Sequence, residues 1–208
     1  MKTKKKNIFM PKNHMDALYN SANPLVKFVH NQRLDQIVKM MPNQNNKILD
    51  AGCGEGHLIQ KLYSKNRKNS YYGIDITKIA LQEAKKRCPY AKLYKMDLSK
   101  INFKNEFFDI IICTEVLEHI YEYKDVIKEL KRILKKGGYL VVSFPNEILW
   151  TISRFLLRRK PIKVPDHVNQ FAPNNIKSLI KLQLISKIGL PFKLPFWGSL
   201  NYLMKFKK

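Results

Sequence analysis

The chain reads as an α/β protein, a mostly parallel sheet flanked by helices on both faces in a single domain. Three observations predict this. Short apolar runs alternate with helical patterns from residue 47 to residue 144. One run, Phe107-Phe-Asp-Ile-Ile-Ile-Cys113, is apolar almost without interruption, as suits a central strand buried on both sides. A glycine-rich turn stands between the first strand and the first helix of the alternation.

In chain order, residues 1–13 form a basic tail. Asp16 to Met41 is helical, with Leu18, Val26, Val29, Leu34, Ile37 and Val38 supplying apolar faces, and Pro24 divides it in two. Pro42 and the Asn/Gln run after it make a loop. Strands at Lys47–Asp50, Tyr71–Asp75 and Lys92–Met96 then alternate with helices at His57–Lys65 and Lys78–Arg87. Phe107–Thr114 is the fourth strand and Lys124–Leu134 a helix that Lys136-Gly137-Gly138 closes, followed by a fifth strand at Tyr139–Phe144. Beyond Pro145 the rhythm changes. Helices are predicted at Ile148–Leu157 and Pro173–Lys181, a basic proline-bearing loop at 158–165 and a late strand at Leu182–Leu190. Residues 191–208 mix aromatics with lysine. The organisation expected is a basic tail and covering helices over 1–44, the α/β domain over 45–190 and a basic aromatic segment over 191–208.

The 208 residues suffice for one sizeable core, and 45% hydrophobic with 11% aromatic content excludes a disordered chain. No apolar run approaches the length of a membrane span. Cys53, Cys88 and Cys113 have no CxxC pairing, and with no secretory leader they read as reduced thiols of a cytoplasmic protein. The formal net charge of +23 favours polyanionic partners, either nucleic acid or an anionic bilayer surface, or else reflects a lysine-rich solvated surface.

The glycine turn is Asp50-Ala51-Gly52-Cys53-Gly54-Glu55-Gly56. Glycines at alternate positions let the backbone turn sharply and come against a ligand, and the helix beyond begins with unpaired N–H groups. The spacing is GxGxG, with His57 where a dinucleotide fingerprint would place its third glycine. Ile48 to Gly56 resembles the first motif of class I S-adenosylmethionine-dependent methyltransferases, whose Rossmann-like, doubly wound sheet has seven strands. The resemblance covers roughly residues 45–145. It implies that Asp50, Gly52 and Gly54 line the methionine part of the cofactor, with Cys53 and Thr114 beside them. Tyr72-Gly-Ile-Asp75 is similar to the second motif, making Asp75 the acceptor for both ribose hydroxyls, with Ile76 adjacent. Met96-Asp97 resembles the adenine site: Asp97 accepts from the exocyclic amine, Met96 packs on the ring and Leu98 adjoins it. Taken singly, Asp75 or Asp97 reads equally well as a helix cap.

A second constellation follows the fourth strand, Thr114-Glu115-Val-Leu-Glu118-His119. If helical, this turn puts Glu115, Glu118 and His119 at i, i+3 and i+4 on one face. Asp166-His167-Val-Asn-Gln adds a distant imidazole. Glu115, Glu118, His119 and His167 make a candidate site for Mg²⁺ or Mn²⁺. The segment is similar to two metal-dependent branches of the superfamily, quinone-biosynthesis O-methyltransferases and small-RNA 2′-O-methyltransferases, whose acceptors carry neighbouring hydroxyls. The metal-free alternative keeps His119 as catalytic base, with Glu115 beside it, or as a pocket residue. His14 and His30 read as surface or packing residues, and His57 as structural.

Three functions compete on these residues. One is O-methylation of a small or lipid-like acceptor at an anionic membrane surface on the cytoplasmic side, supported by cations interleaved with aromatics in Trp150–Lys160 and Pro191–Lys208, where Phe192, Phe196, Trp197, Tyr202 and Phe206 stand among lysines. The alternative for the last stretch is that these rings cover a sheet edge. The second function is methylation of RNA, with the basic surface as its binding face. The third is a non-catalytic binding module, against which the retained Gly52, Gly54, Asp75 and Asp97 argue.

Overall fold

The computed structural model describes residues 14–156, 158 and 166–208. The basic tail at 1–13 and nearly all of the 158–165 loop lie outside the described residues.

Seven strands form one sheet: β1 (Lys47–Ala51), β2 (Ser70–Asp75), β3 (Lys92–Lys95), β4 (Phe108–Thr114), β5 (Leu134–Pro145), β6 (Gln183–Leu190) and β7 (Asn201–Lys207). Their spatial order is β3-β2-β1-β4-β5-β7-β6. The first five are parallel, and β7 runs antiparallel between β5 and β6. The helices are α1 (His14–Tyr19), α2 (Pro24–Met40), α3 (His57–Lys65), α4 (Lys78–Arg87), α5 (Tyr123–Ile133), α6 (Glu147–Leu156) and α7 (Pro173–Ile180). None of the described helices is long and apolar enough to cross a membrane.

Strand alternation sends one set of side chains to each face. Ile48, Ile110, Ile112, Val141 and Leu203 pack with Leu34 and Ile37 of α2 and Leu58, Ile59 and Leu62 of α3. Leu49, Ile111, Cys113, Leu140 and Val142 pack on the other side with Val126, Leu130 and Ile133 of α5 and Ile176 and Ile180 of α7. Both faces of the parallel strands are therefore covered, as the unbroken apolar run in β4 requires. At α2, Asn23 caps the helix, its side chain accepting from Leu25 and Val26 N–H, and Pro24 occupies the first helical position, so this proline starts the helix.

Three expectations are corrected by packing. The glycine pair near residue 137 does not separate helix from strand. Instead β5 begins at Leu134, opposite Phe108, and a register shift before the Ile110–Tyr139 pair absorbs the intervening residues as a bulge. The segment 191–208 is not wholly separate from the α/β domain: Asn201–Lys207 is a strand of the sheet. Leu203, Met204 and Phe206 are almost wholly buried because β7 is hydrogen-bonded on both sides, to β5 and to β6. Tyr202 and Phe206 are thus core residues, whereas Phe192 and Trp197, in the loop before β7, are exposed. Finally, residues 115–119 do not make a helix that starts at Glu115. Glu115 has φ +55°, and only Leu117–His119 forms a single 3₁₀ turn.

Candidate active site

The carboxyl ends of β1, β2 and β4 meet above the sheet, where an open α/β fold offers its crevice. The loop after β1 turns through two glycines at positive φ. Gly52 has φ +85°, and a Cβ there would come within 2.4 Å of Val116 Cγ2. Gly54 has φ +50°, and the space beside it is open except for Met15 of α1, whose Cγ would lie 3.8 Å from an added Cβ. Gly52 and Cys53 N–H both donate to the Ile74 carbonyl, pinning the loop to β2.

Asp75, at the end of β2, holds this loop electrostatically. Its Oδ2 accepts from Gly54 N–H at 2.8 Å and its Oδ1 from Thr77 N–H at 2.8 Å, the latter at the start of α4. A carboxylate offers about four acceptor sites, so two lone pairs remain. Asp50 is buried beside it. Burial, and then the charge of Asp75, push its carboxyl up to about 7, against the pull of Arg33. Ile76 is half exposed at the rim. Met96 and Asp97 are half-buried, with Asp97 Oδ1 accepting from Ser99 N–H and Oγ. Two members of the expected cofactor set point elsewhere: Leu98 packs into the core, and the Cys53 thiol is buried against the Gly73 backbone, leaving only its main chain in the loop. Thr114 is half-buried opposite Ser143.

Beyond Thr114 the chain builds a second, more polar corner. Glu115 is turned away from Glu118 because three partners claim its carboxylate. Oε1 accepts from Ser143 Oγ at 2.7 Å, Oε2 accepts from Asn201 Nδ2 at 2.7 Å, and Arg33 Nη1 lies 3.2 Å from Oε2. Glu115 therefore joins β5, β7 and α2 instead of completing a cluster with Glu118. Glu118, His119 and His167 do come together, each offering one ligand atom within 4.8 Å of the others. The 166–169 loop is stitched to the 117–120 turn. Val168 and Asn169 N–H donate to the Glu118 carbonyl, while Asn169 Nδ2 donates to the carbonyls of Leu117 and Ile120. These four bonds bring a histidine 48 residues downstream beside His119, with ring centroids 4.7 Å apart.

Protonation in this corner follows from the partners. His119 Nδ1 lies 3.1 Å from the Asp166 carbonyl, which can only accept, so Nδ1 carries the proton and Nε2 keeps its lone pair. Burial, then His167, lower the His119 pKa and hold the ring neutral. His167 Nδ1 stands 2.5 Å from Glu147 Oε1, the first residue of α6, which orients that ring in turn. Glu118 is 1% exposed, and neither of its carboxylate oxygens has a hydrogen-bond partner among the described residues. Burial, then the charge of Glu115, raise its pKa well above the carboxylate range.

Three residues of this corner were not singled out from the sequence. Arg33 is 4% exposed and donates through Nη2 to Tyr19 Oη at 3.2 Å, while its Nε has no partner among the described residues. Burial depresses its pKa, but Glu115 and Tyr19 outweigh this and raise it, so the group stays charged. The available signal was an arginine on the apolar stripe of α2, between Val29 and Ile37 at helical spacing. Glu147 and Asn169 carried a weaker one, as polar residues of a strongly basic C-terminal third.

This arrangement belongs to a known family. The family model described as "Methyltransferase domain" matches residues 42–181, two thirds of the chain. A ubiquinone biosynthesis O-methyltransferase of Pelagibacter ubique is 28% identical over 186 residues, covering 80% of this chain and 77% of that protein. Some other curated relatives are spanned less completely, among them two probable S-adenosylmethionine-dependent methyltransferases of Mycobacterium tuberculosis, each to 46% of its length. Among solved structures, a protein of Pyrococcus horikoshii superposes with a TM-score of 0.73 at 18% identity, covering 92% of this chain and 95% of the other. Magnesium protoporphyrin IX methyltransferase of Synechocystis, solved with bound S-adenosylhomocysteine, does so with 0.70 at 19% identity over 93% of each. With its sheet order, its glycine loop and this match over most of the domain, the chain belongs to the class I S-adenosylmethionine-dependent methyltransferases.

Proposed function

We propose that this methyltransferase acts on an oxygen of a small acceptor bearing neighbouring hydroxyls, with a Mg²⁺ or Mn²⁺ ion held by Glu118, His119 and His167. One observation carries the reading. A fully buried carboxylate with no partner on either oxygen costs folding free energy, and here it stands within 4.8 Å of ligand atoms from two histidines. Mixed oxygen and nitrogen donors fit a divalent cation, and the Glu147 and Asp166 contacts orient the two rings as partners of metal-ligating histidines do. When bound, such an ion supplies the Lewis acidity that makes a hydroxyl a competent nucleophile at neutral pH. The Pelagibacter relative's being an O-methyltransferase of ubiquinone biosynthesis supports an oxygen acceptor of low molecular weight.

The residues present also fit the cofactor, which when bound supplies an electrophilic sulfonium methyl. The open space beside Gly54 admits it to the loop backbone, the remaining lone pairs of Asp75 suit ribose hydroxyls, and Ile76 and Met96 offer apolar surface to a base, with Asp97 beside them. Arg33, charged and with Nε unpartnered, suits the carboxylate of the methionine moiety. Glu115 acts as a positioning residue, holding Arg33 against the sheet. Without a metal, the neutral His119 with its Nε2 lone pair would serve as general base. The same pair of hydroxyls occurs on a ribose at an RNA terminus, the reading that the chain's positive charge favours.

The test is methyl transfer to a catechol in the presence of chelator, beside a terminal ribose diol as competing acceptor. Turnover stops in chelator and returns with Mg²⁺ or Mn²⁺, while S-adenosylhomocysteine affinity is unchanged. Full turnover in chelator sinks the metal and leaves His119 as the base.

A further inference from the structure

Helix α6 is inverted relative to the other amphipathic helices of the domain. Ile148, Ile152, Phe155 and Leu156 stand at i, i+4, i+7 and i+8, the spacing of one helical face, and all four are between 48% and 72% exposed. Two further ridges adjoin it. The loop before β7 exposes Phe192, Leu194 and Trp197, the last at 77%, and the start of α2 exposes Leu25 and Phe28. The ridges are tied together. The Phe28 and Phe192 rings are 6.0 Å apart, Asn146 Nδ2 beneath α6 donates to the Phe196 carbonyl, and the Trp150 ring of α6 lies 6.1 Å from His30 of α2. A connected patch of this kind marks a surface that is covered in use.

We infer that this patch is a docking face for an anionic lipid bilayer, with the α6 stripe and Trp197 entering the headgroup boundary. Charge selects the occupant. Arg154, Arg158, Arg159, Lys160 and Lys163 lie within α6 or follow it in sequence, and Lys193 stands between Phe192 and Leu194, against Glu147 and Asp166, of which Glu147 is turned inward onto His167. Large aliphatic and aromatic side chains flanked by cations are the chemistry of an interfacial helix. A second copy of the chain would bring like charge against like charge across a symmetric interface. A nucleic acid would leave the aliphatic side chains of α6 without a base to stack on or a phosphate to pair with. Because Glu147 opens α6 and orients His167, the docking face is continuous with the candidate acceptor corner. Delivery of a lipid-like acceptor from the bilayer rests on the function proposed above; the docking itself does not.

The experiment is co-sedimentation of the full chain with vesicles of phosphatidylglycerol and phosphatidylcholine, against phosphatidylcholine alone, scored without turnover. The chain binds the anionic vesicles, and raised salt weakens this without abolishing it. I152E/F155E, both at exposed positions, reduces binding tenfold or more, and W197E reduces it independently, while circular dichroism and S-adenosylhomocysteine affinity stay at wild type. In a W150F chain, Trp197 emission shifts to the blue on vesicle addition. Absence of vesicle binding, or binding that these substitutions leave unchanged, overturns the inference. So does a dimer that I152E/F155E dissociates, or an RNA hairpin whose binding the same substitutions abolish.

Discussion

Asp75 shows how one side chain combines two tasks. It tethers Gly54 to the start of α4 while keeping lone pairs toward the crevice. Asp75→Ala is expected to weaken S-adenosylhomocysteine binding by roughly 1.5–3 kcal/mol, the usual cost of losing hydrogen bonds to a charged group. Calorimetric titration measures this, and an unchanged affinity would mean that the carboxylate only ties the loop together. Glu147 is the residue-scale consequence of the second corner. It contacts the His167 ring without being one of the three candidate ligands, so Glu147→Gln should lower Mn²⁺ affinity about 10- to 100-fold and leave cofactor affinity intact. Electron paramagnetic resonance of a Mn²⁺ titration reads the first, calorimetry the second. Asp75 was legible in the sequence because it ends a strand in a recognisable motif. Glu147 was not, since its partner is twenty residues away across a loop.

At the scale of elements, the parallel half of the sheet and its helices follow from local patterning. α3 and α4 occur where the apolar spacing puts them, and β1 to β4 differ from expectation by a residue or so at their ends, whereas β5 begins five residues earlier than expected. The C-terminal strand is the instructive exception. Asn201–Lys207 sets Tyr202 and Phe206 near Lys205 and Lys207, a composition shared by an interfacial anchor and by a strand whose last residues reach solvent. Pairing on both sides decides between them, since Phe206 and Leu203 are then sealed from water. Phe206→Ala should therefore destabilise the fold by about 3–5 kcal/mol, the cost of emptying a buried aromatic site. Urea unfolding measures it. A loss under 1 kcal/mol would mean that β7 detaches freely from the sheet.

For the molecule as a whole, the site is assembled at the expense of burying charge, and the pH dependence of stability records this. Asp50 in the folded protein has its pKa raised from 3.8 to about 7. Between those values the folded state holds a proton that the unfolded chain has released, so stability falls as pH rises through this window. Asp50→Asn should remove one proton's share of that slope, about 1.4 kcal/mol per pH unit between roughly pH 4 and 7. Urea melts of both proteins across this range check it, and parallel pH profiles would show that Asp50 is not the group responsible. The sequence by itself determined the layered architecture, the glycine loop and the acidic residues at the ends of β1 and β2, because strand and helix periods and glycine turns are local properties of the chain. Tertiary structure alone decided that Glu115 leaves Glu118 for Ser143, Asn201 and Arg33, that His167 reaches His119, and that 201–207 is an inner strand. Each of these depends on backbone or side-chain partners between 11 and 86 residues away, and no periodicity along the chain encodes which distant group will satisfy a buried polar one.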